Sequence, residues 1–212
     1  MTIMLLHDLG DPLGGAAWRA VAPSDWIIPD LPGHGTSPAP RSGHYEPMSP
    51  VAIARWMLAQ HQNTTLIGVR EQAHGALVHA VGGGCARVVV VDGLGGPWQT
   101  AREQIDAFYA DLRLIFEDQA AIEAAPSSGL DPRACYPYGV MTSAEFAQRF
   151  WGEIDQPVLA IETLASNTPP DERAERMAWF SGDTTLVVID TSEPAAIVAA
   201  IQRWLTEDTS IR

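Results

Sequence analysis

Short runs of β-branched and aliphatic residues alternate along this chain with longer stretches whose apolar positions recur at three- and four-residue spacing. The runs Ile3–Leu6, Trp26–Ile28, Thr65–Val69, Arg87–Asp92, Val158–Ile161 and Thr185–Asp190 read as six strands. Val88-Val89-Val90-Val91 is unbroken apolar sequence, the pattern of a strand covered on both faces in a parallel sheet. Helices are expected from Ser49-Pro50, a cap followed by a first-turn proline, to about Gln60, and from about Glu71 to Val81, stopped by Gly82-Gly83-Gly84. Two more are expected, one starting at Thr168-Pro169-Pro170-Asp171 in the manner of a capping box and one over about Glu193–Leu205. Such alternation predicts an α/β fold: a doubly wound, mainly parallel six-stranded sheet flanked by helices.

The rhythm breaks between Gly96 and Trp151. Ile105, Phe108, Tyr109, Leu112, Ile115 and Phe116 keep helical spacing without a strand to follow, and a Pro/Gly/Ser-rich stretch, Pro126–Tyr138, leads to a shorter helix near Ser143–Trp151. The expected organisation is a core of residues 1–96 and 152–212 with a helical lid inserted at 97–151; an ordinary long crossover is the alternative.

Composition narrows the partners. The 212 residues carry 26 acidic and 13 basic side chains, a net charge of −13, and every basic residue is arginine. That surface repels phosphate backbones and anionic lipid, so neither nucleic acid nor a membrane surface is an expected partner. Without lysine there is no Schiff-base or phosphate-loop lysine chemistry. Cys85 and Cys135 are the only cysteines, and no metal-ligand spacing or dinucleotide fingerprint appears, so no metal and no cofactor are expected. The start lacks a basic leader and no apolar stretch reaches membrane-span length, which leads to the expectation of a cytoplasmic protein. Oligomeric state stays open.

Three segments together resemble the α/β-hydrolase superfamily. Leu5-Leu6-His7-Asp8-Leu9-Gly10 is similar to the family's His-Gly motif that carries the oxyanion hole. Asp30-Leu31-Pro32-Gly33-His34-Gly35 is similar to its Asp-x-Pro-Gly-His-Gly turn, and Thr65-Leu66-Ile67-Gly68 enters a helix as the family's nucleophile elbow does. The resemblance spans nearly the whole chain, begins at the family's third strand, and implies a truncated α/β-hydrolase fold with a cap before Pro157.

The departures from the family pattern bear on chemistry. Where the family has Gly-x-Ser-x-Gly, this chain reads Gly68-Val69-Arg70-Glu71-Gln72, placing Arg70, or Gln72 in a shifted frame, at the nucleophile position. Glu162-Thr163-Leu164 stands where the family's acid is expected, and no histidine follows His79, so a Ser-His-Asp relay is not expected. The family topology puts Arg70 between the strand ends carrying His7/Asp8 and Asp92, with Glu162 one strand further. Two readings follow. Arg70 orients a carboxylate or enolate while His7 or Asp92 moves a proton, with Asp8, Leu9, Glu71 and Glu162 lining the substrate site; or Arg70 and Asp92 form an ion pair that fills the pocket. The corresponding functions are a non-hydrolytic enzyme (lyase, cyclase or isomerase type) on a small, anionic organic molecule held beneath the lid, and a catalytically inactive binding or partner protein. A hydrolase with a relocated nucleophile, at Glu71 or a lid serine, is a third. His34 is expected to be structural, as the family uses its motif.

Overall fold

In a computed structural model of the chain, residues 2–8, 13–31, 34–37, 64–81, 83–94, 148, 150–166 and 168–207 are described. They form five strands: β1 (Thr2–Leu6), β2 (Thr64–Val69), β3 (Arg87–Val91), β4 (Val158–Glu162) and β5 (Thr184–Val188). The helices are α1 (Ala16–Arg19), α2 (Glu71–Val81), α3 (Arg173–Met177) and α4 (Pro194–Glu207). The strands are parallel neighbours in chain order, and the register sets Leu6 beside Gly68, Gly68 beside Val90, and Val91 beside Ile161.

One expected strand is reduced. Trp26–Ile28 contributes a single parallel bridge, Ile27 to Met4, fixed by Ile27 N–H to Ile3 O and Leu5 N–H to Ile27 O, each 2.9 Å. Pro23 and Pro29 bracket the segment, and proline lacks the N–H a longer ladder needs. Among the described residues, five strands and a bridge therefore stand where six strands were expected. The helix expected from Thr168 begins only at Arg173; Pro169 to Glu172 makes a turn closed by Glu172 N–H on Pro169 O at 3.0 Å. The helix expected at 50–60 and nearly all of the expected lid lie outside the described residues. Of the lid, residues 148, 150 and 151 are described and helical.

Both faces of the sheet are covered, as the run of four valines requires. One face packs Met4, Leu66, Val88, Val90 and Ala160 against α2 (Ala73, Ala76, Leu77, Ala80) and against Trp151 and Phe180, whose rings stack at 4.7 Å. The other packs Leu5, Ile67, Val89, Val91, Leu159 and Ile161 against α4 (Ile197, Val198, Ile201, Leu205) and against Trp18 and Trp26. Small residues let α2 approach the strand ends closely. A Cβ on Gly93 would stand 2.1 Å from the Ala73 Cβ, and one on Gly68 would stand 2.3 Å from the Gln72 carbonyl oxygen. The carboxyl ends of β1, β2, β3 and β4 consequently sit side by side with α2 anchored over them.

Candidate active site at the carboxyl edge of the sheet

The turn from β2 into α2 is made by a single residue. Arg70 donates its N–H to Val91 O at 2.7 Å, which extends the ladder by one step, and its carbonyl accepts Ala73 N–H at 3.0 Å, which starts the helix. Serving both elements at once requires a left-handed backbone, and Arg70 adopts φ 51. A residue with a Cβ is held there only at a cost of roughly 1–2 kcal/mol. Gln72 is buried in the helix at 1% exposure, so of the two positions in question it is Arg70 that occupies the strained turn. Glu71 is the first residue of α2.

Arg70 pairs with Asp8. Its Nη1 lies 3.6 Å from Asp8 Oδ2, with the arginine side chain 42% exposed and the aspartate 18%. Asp8 Oδ1 is buried and accepts no hydrogen bond. The expected pair between Arg70 and Asp92 is absent among the described residues. Asp92, itself left-handed at φ 52, accepts from the Thr163 amide and the Thr163 hydroxyl, each at 2.7 Å.

His7, fully buried at the end of β1, is committed at both ring nitrogens. Its Nδ1–H donates to Asp8 O at 2.7 Å, and its Nε2 accepts Leu31 N–H at 3.1 Å. That pattern defines a neutral imidazole that ties β1 to the Asp30 turn. Both ring nitrogens of His7, expected to move a proton, are thus engaged by backbone groups. His34 packs its ring 5.1 Å from that of His7, within the same turn. Leu9 lies outside the described residues.

Asp30 organises that turn. Its carboxylate accepts from Gly15 N–H (2.9 Å), Arg19 Nη1 (2.8 Å), Thr36 N–H (3.0 Å) and the Thr36 hydroxyl (2.8 Å). Burial by itself would raise its pKa, but the Arg19 guanidinium and the Thr36 and Gly15 donors outweigh burial and hold the carboxyl well below the usual range. Gly35, at φ 51, brings its backbone so close that a Cβ would lie 2.7 Å from the Asp30 carboxylate.

Glu162 ends β4 with no exposure. It accepts the Ser166 hydroxyl and, at 3.4 Å, the Leu94 amide, and Arg173 Nε lies 3.8 Å away. Burial raises its pKa, the Ser166 hydrogen bond opposes that, and the nearby charge of Asp92 adds to it. Sequence reasoning did not find the roles of Asp30, Thr163, Ser166, Arg173 or Arg176. A polar residue soon after each strand end was the available signal, but partners up to 82 residues apart carry no local mark. No group of three or more potential metal ligands occurs among the described residues, and none of their helices is long and apolar enough to cross a membrane.

No protein-family model matches the sequence, and no curated protein matches it. Solved structures do. An alpha/beta hydrolase from Sphaerobacter thermophilus aligns at a TM-score of 0.62 and 16% identity, covering 96% of this chain and 92% of that one. A monoacylglycerol lipase from Paleococcus ferrophilus aligns at 0.65 and 19%, covering 97% and 93%. The enol-lactonase from Burkholderia xenovorans aligns at 0.65 and 18%, covering 96% and 90%. At such identities the likeness is one of fold: a parallel sheet flanked by helices, as in α/β-hydrolases.

Proposed function

We propose that this α/β-hydrolase-fold chain is a non-hydrolytic enzyme that binds a small organic anion at Arg70 and moves a proton on it, in chemistry of the lyase, cyclase or isomerase type. The observation that carries the reading is Arg70 itself: a permanent cation at the strained turn between β2 and α2, half-exposed, with one long ion pair to Asp8. A guanidinium offers two parallel donors to a carboxylate or enolate and stabilises negative charge as it develops. Asp8 lies beside the guanidinium through Oδ2, and in this reading its carboxylate is the base that takes a proton from carbon next to the bound anion. In this reading His7 and Asp92 are positioning residues. His7 fixes the backbone of Asp8, and Asp92 holds the neighbouring loop and leaves the guanidinium free for ligand.

A substrate-independent assay tests it. Panels of small keto and hydroxy acids are incubated with protein in D2O, and deuterium incorporation at carbon is followed by NMR. The wild type is expected to catalyse exchange into at least one class. Asp8→Asn abolishes exchange while retaining binding, and Arg70→Ala loses binding. Saturable multiple-turnover release from activated esters would instead mean that a nucleophile operates elsewhere, and this reading would fall.

One observation favours a second reading, a catalytically inactive binding protein: His7 and Asp92 are both spent on internal hydrogen bonds. That protein would bind the anions through Arg70 and show no exchange.

A further inference from the structure

The two edges of the sheet are finished differently. At the β1 edge, Ile27 bridges Met4, and Pro23 and Pro29 bracket the bridging segment. At the other edge stands β5, paired with β4 without a break from Thr184 opposite Val158 to Val188 opposite Glu162. Its residues, Thr184-Thr185-Leu186-Val187-Val188, include no charge and no proline, and no bulge interrupts the register. Those are the devices that keep a strand edge from pairing with other strands.

The ladder fixes which backbone groups are left over. Val158 donates its N–H to Asp183 O at 2.8 Å, and Ile189 donates to Glu162 O at 2.9 Å. Parallel pairing alternates, so Thr185 and Val187 also turn toward β4, whereas the N–H and C=O of Thr184, Leu186 and Val188 point away from it. Among the described residues no strand pairs with that side. The side chains of the same three residues share one face, where Leu186 is 36% and Val188 60% exposed. Val187 and Ile189 pack on the opposite face with the α4 cluster.

We propose that β5 is a dimerisation edge: two copies of this chain join antiparallel along β5, about a two-fold axis at Leu186, into one continuous sheet. An edge strand is complementary to itself under such an axis. Centred on Leu186, the pairing sets Leu186 against its own copy and Thr184 against the Val188 of the second copy. All three outward residues then exchange N–H and C=O in both directions, and no other register pairs all three with one another. Their side chains form one row across the junction, leucine beside leucine and threonine beside valine. Charge allows two acidic copies to meet here. Each carries a net charge of −13, but the strand itself is neutral. In this register the flanking Asp183 faces Ile189 and Asp190 faces Gly182, so no acid stands opposite an acid. The inference stands apart from the anion site, for it needs neither Arg70 nor a ligand.

Sedimentation of the intact chain from micromolar to millimolar concentration, with residue-resolved amide exchange on the same samples, tests this. The chain is expected to pass from monomer to dimer. As it does, exchange at the Thr184, Leu186 and Val188 amides should slow by more than about tenfold, while Thr185 and Val187 keep the protection that β4 gives them. Higher salt should raise the dimer fraction by screening the repulsion between copies. Leu186→Lys sets two like charges against each other on the axis and should leave a monomer with the thermal midpoint of the wild-type monomer. Val188→Lys, at a more exposed position, should weaken the dimer as well. Val21→Lys makes the same charge change at a 41% exposed residue beyond α1 and should dimerise as the wild type does. A chain that stays monomeric overturns the proposal. So does a dimer whose three outward amides exchange as freely as in the monomer, one that survives both β5 variants, or one that salt dissociates. Protection of those amides that is independent of concentration would assign the edge to another segment of this chain, and would overturn it too.

Discussion

Asp92 gives both carboxylate oxygens to Thr163, at 2.7 Å each, and so leaves Arg70 to Asp8. The distinction decides what the elbow is. An arginine satisfied by a close, buried aspartate would be a plug, costly to disturb. An arginine half-exposed beside one aspartate at 3.6 Å is a cation with donors to spare.

The backbone at Arg70 makes that difference measurable. An exposed pair of this kind contributes at most about 1 kcal/mol, and glycine would relieve the left-handed strain by a similar amount of about 1 kcal/mol. Arg70→Gly is therefore expected to match or exceed wild-type stability in urea unfolding while losing anion binding. A loss of more than about 2 kcal/mol would make the Arg70–Asp8 pair structural instead.

Asp30 is the opposite case, a carboxylate that is structural. Its stabilisation is fully present above the unfolded-chain value near 3.8 and is lost as pH falls through the depressed native value. Asp30→Asn should cost about 1–2 kcal/mol at neutral pH, the Arg19 guanidinium being largely solvent-screened, and that cost should shrink steadily as pH approaches about 2. Urea midpoints of both proteins across the acid range check this. A pH-independent gap between them would assign the effect to shape and not to charge.

His74, buried in α2, carries a pKa pushed down by burial to about 4 from 6.5. The unfolded chain binds the proton first, so native stability drops as pH falls from 6.5 to about 4 and is flat in this respect outside that window. The full drop is about 3 kcal/mol. In His74→Leu this component should be gone, leaving a shallower acid limb in thermal melts at matched ionic strength.

Cys85 sits buried at the start of the turn into β3, and burial pushes its thiol up to about 12. In a Cys135→Ser background the folded protein should give no fast reaction with a disulfide reagent at pH 8, and one equivalent should appear on denaturation. Rapid reaction in the native state would contradict the burial of this residue.

Much of the scaffold was legible in the one-dimensional pattern. Val88–Val91 announced a strand covered on both faces, and the stretch from Glu71 to the glycine run gave the bounds of α2 as they stand. The segment Trp26–Ile28 misled because its composition is that of a strand, whereas its length of pairing was limited by flanking prolines. Likewise the Thr168-Pro169-Pro170-Asp171 signal marked a turn that precedes α3 by a few residues.

The site divides along the same physical line. By itself the sequence narrowed the residue at the turn after β2 to Arg70 or Gln72, neither of them a serine, cysteine or aspartate, and the left-handed backbone at Arg70 decided between them. Which acid faces that arginine was decided only by the tertiary structure. Asp8, Asp92 and Glu162 all end parallel strands, and sequence alone makes them equivalent partners. Side-chain hydrogen bonds between loops about 70 residues apart broke the tie, drawing Asp92 to Thr163 and Glu162 to Leu94 and Ser166, and leaving Asp8 beside Arg70.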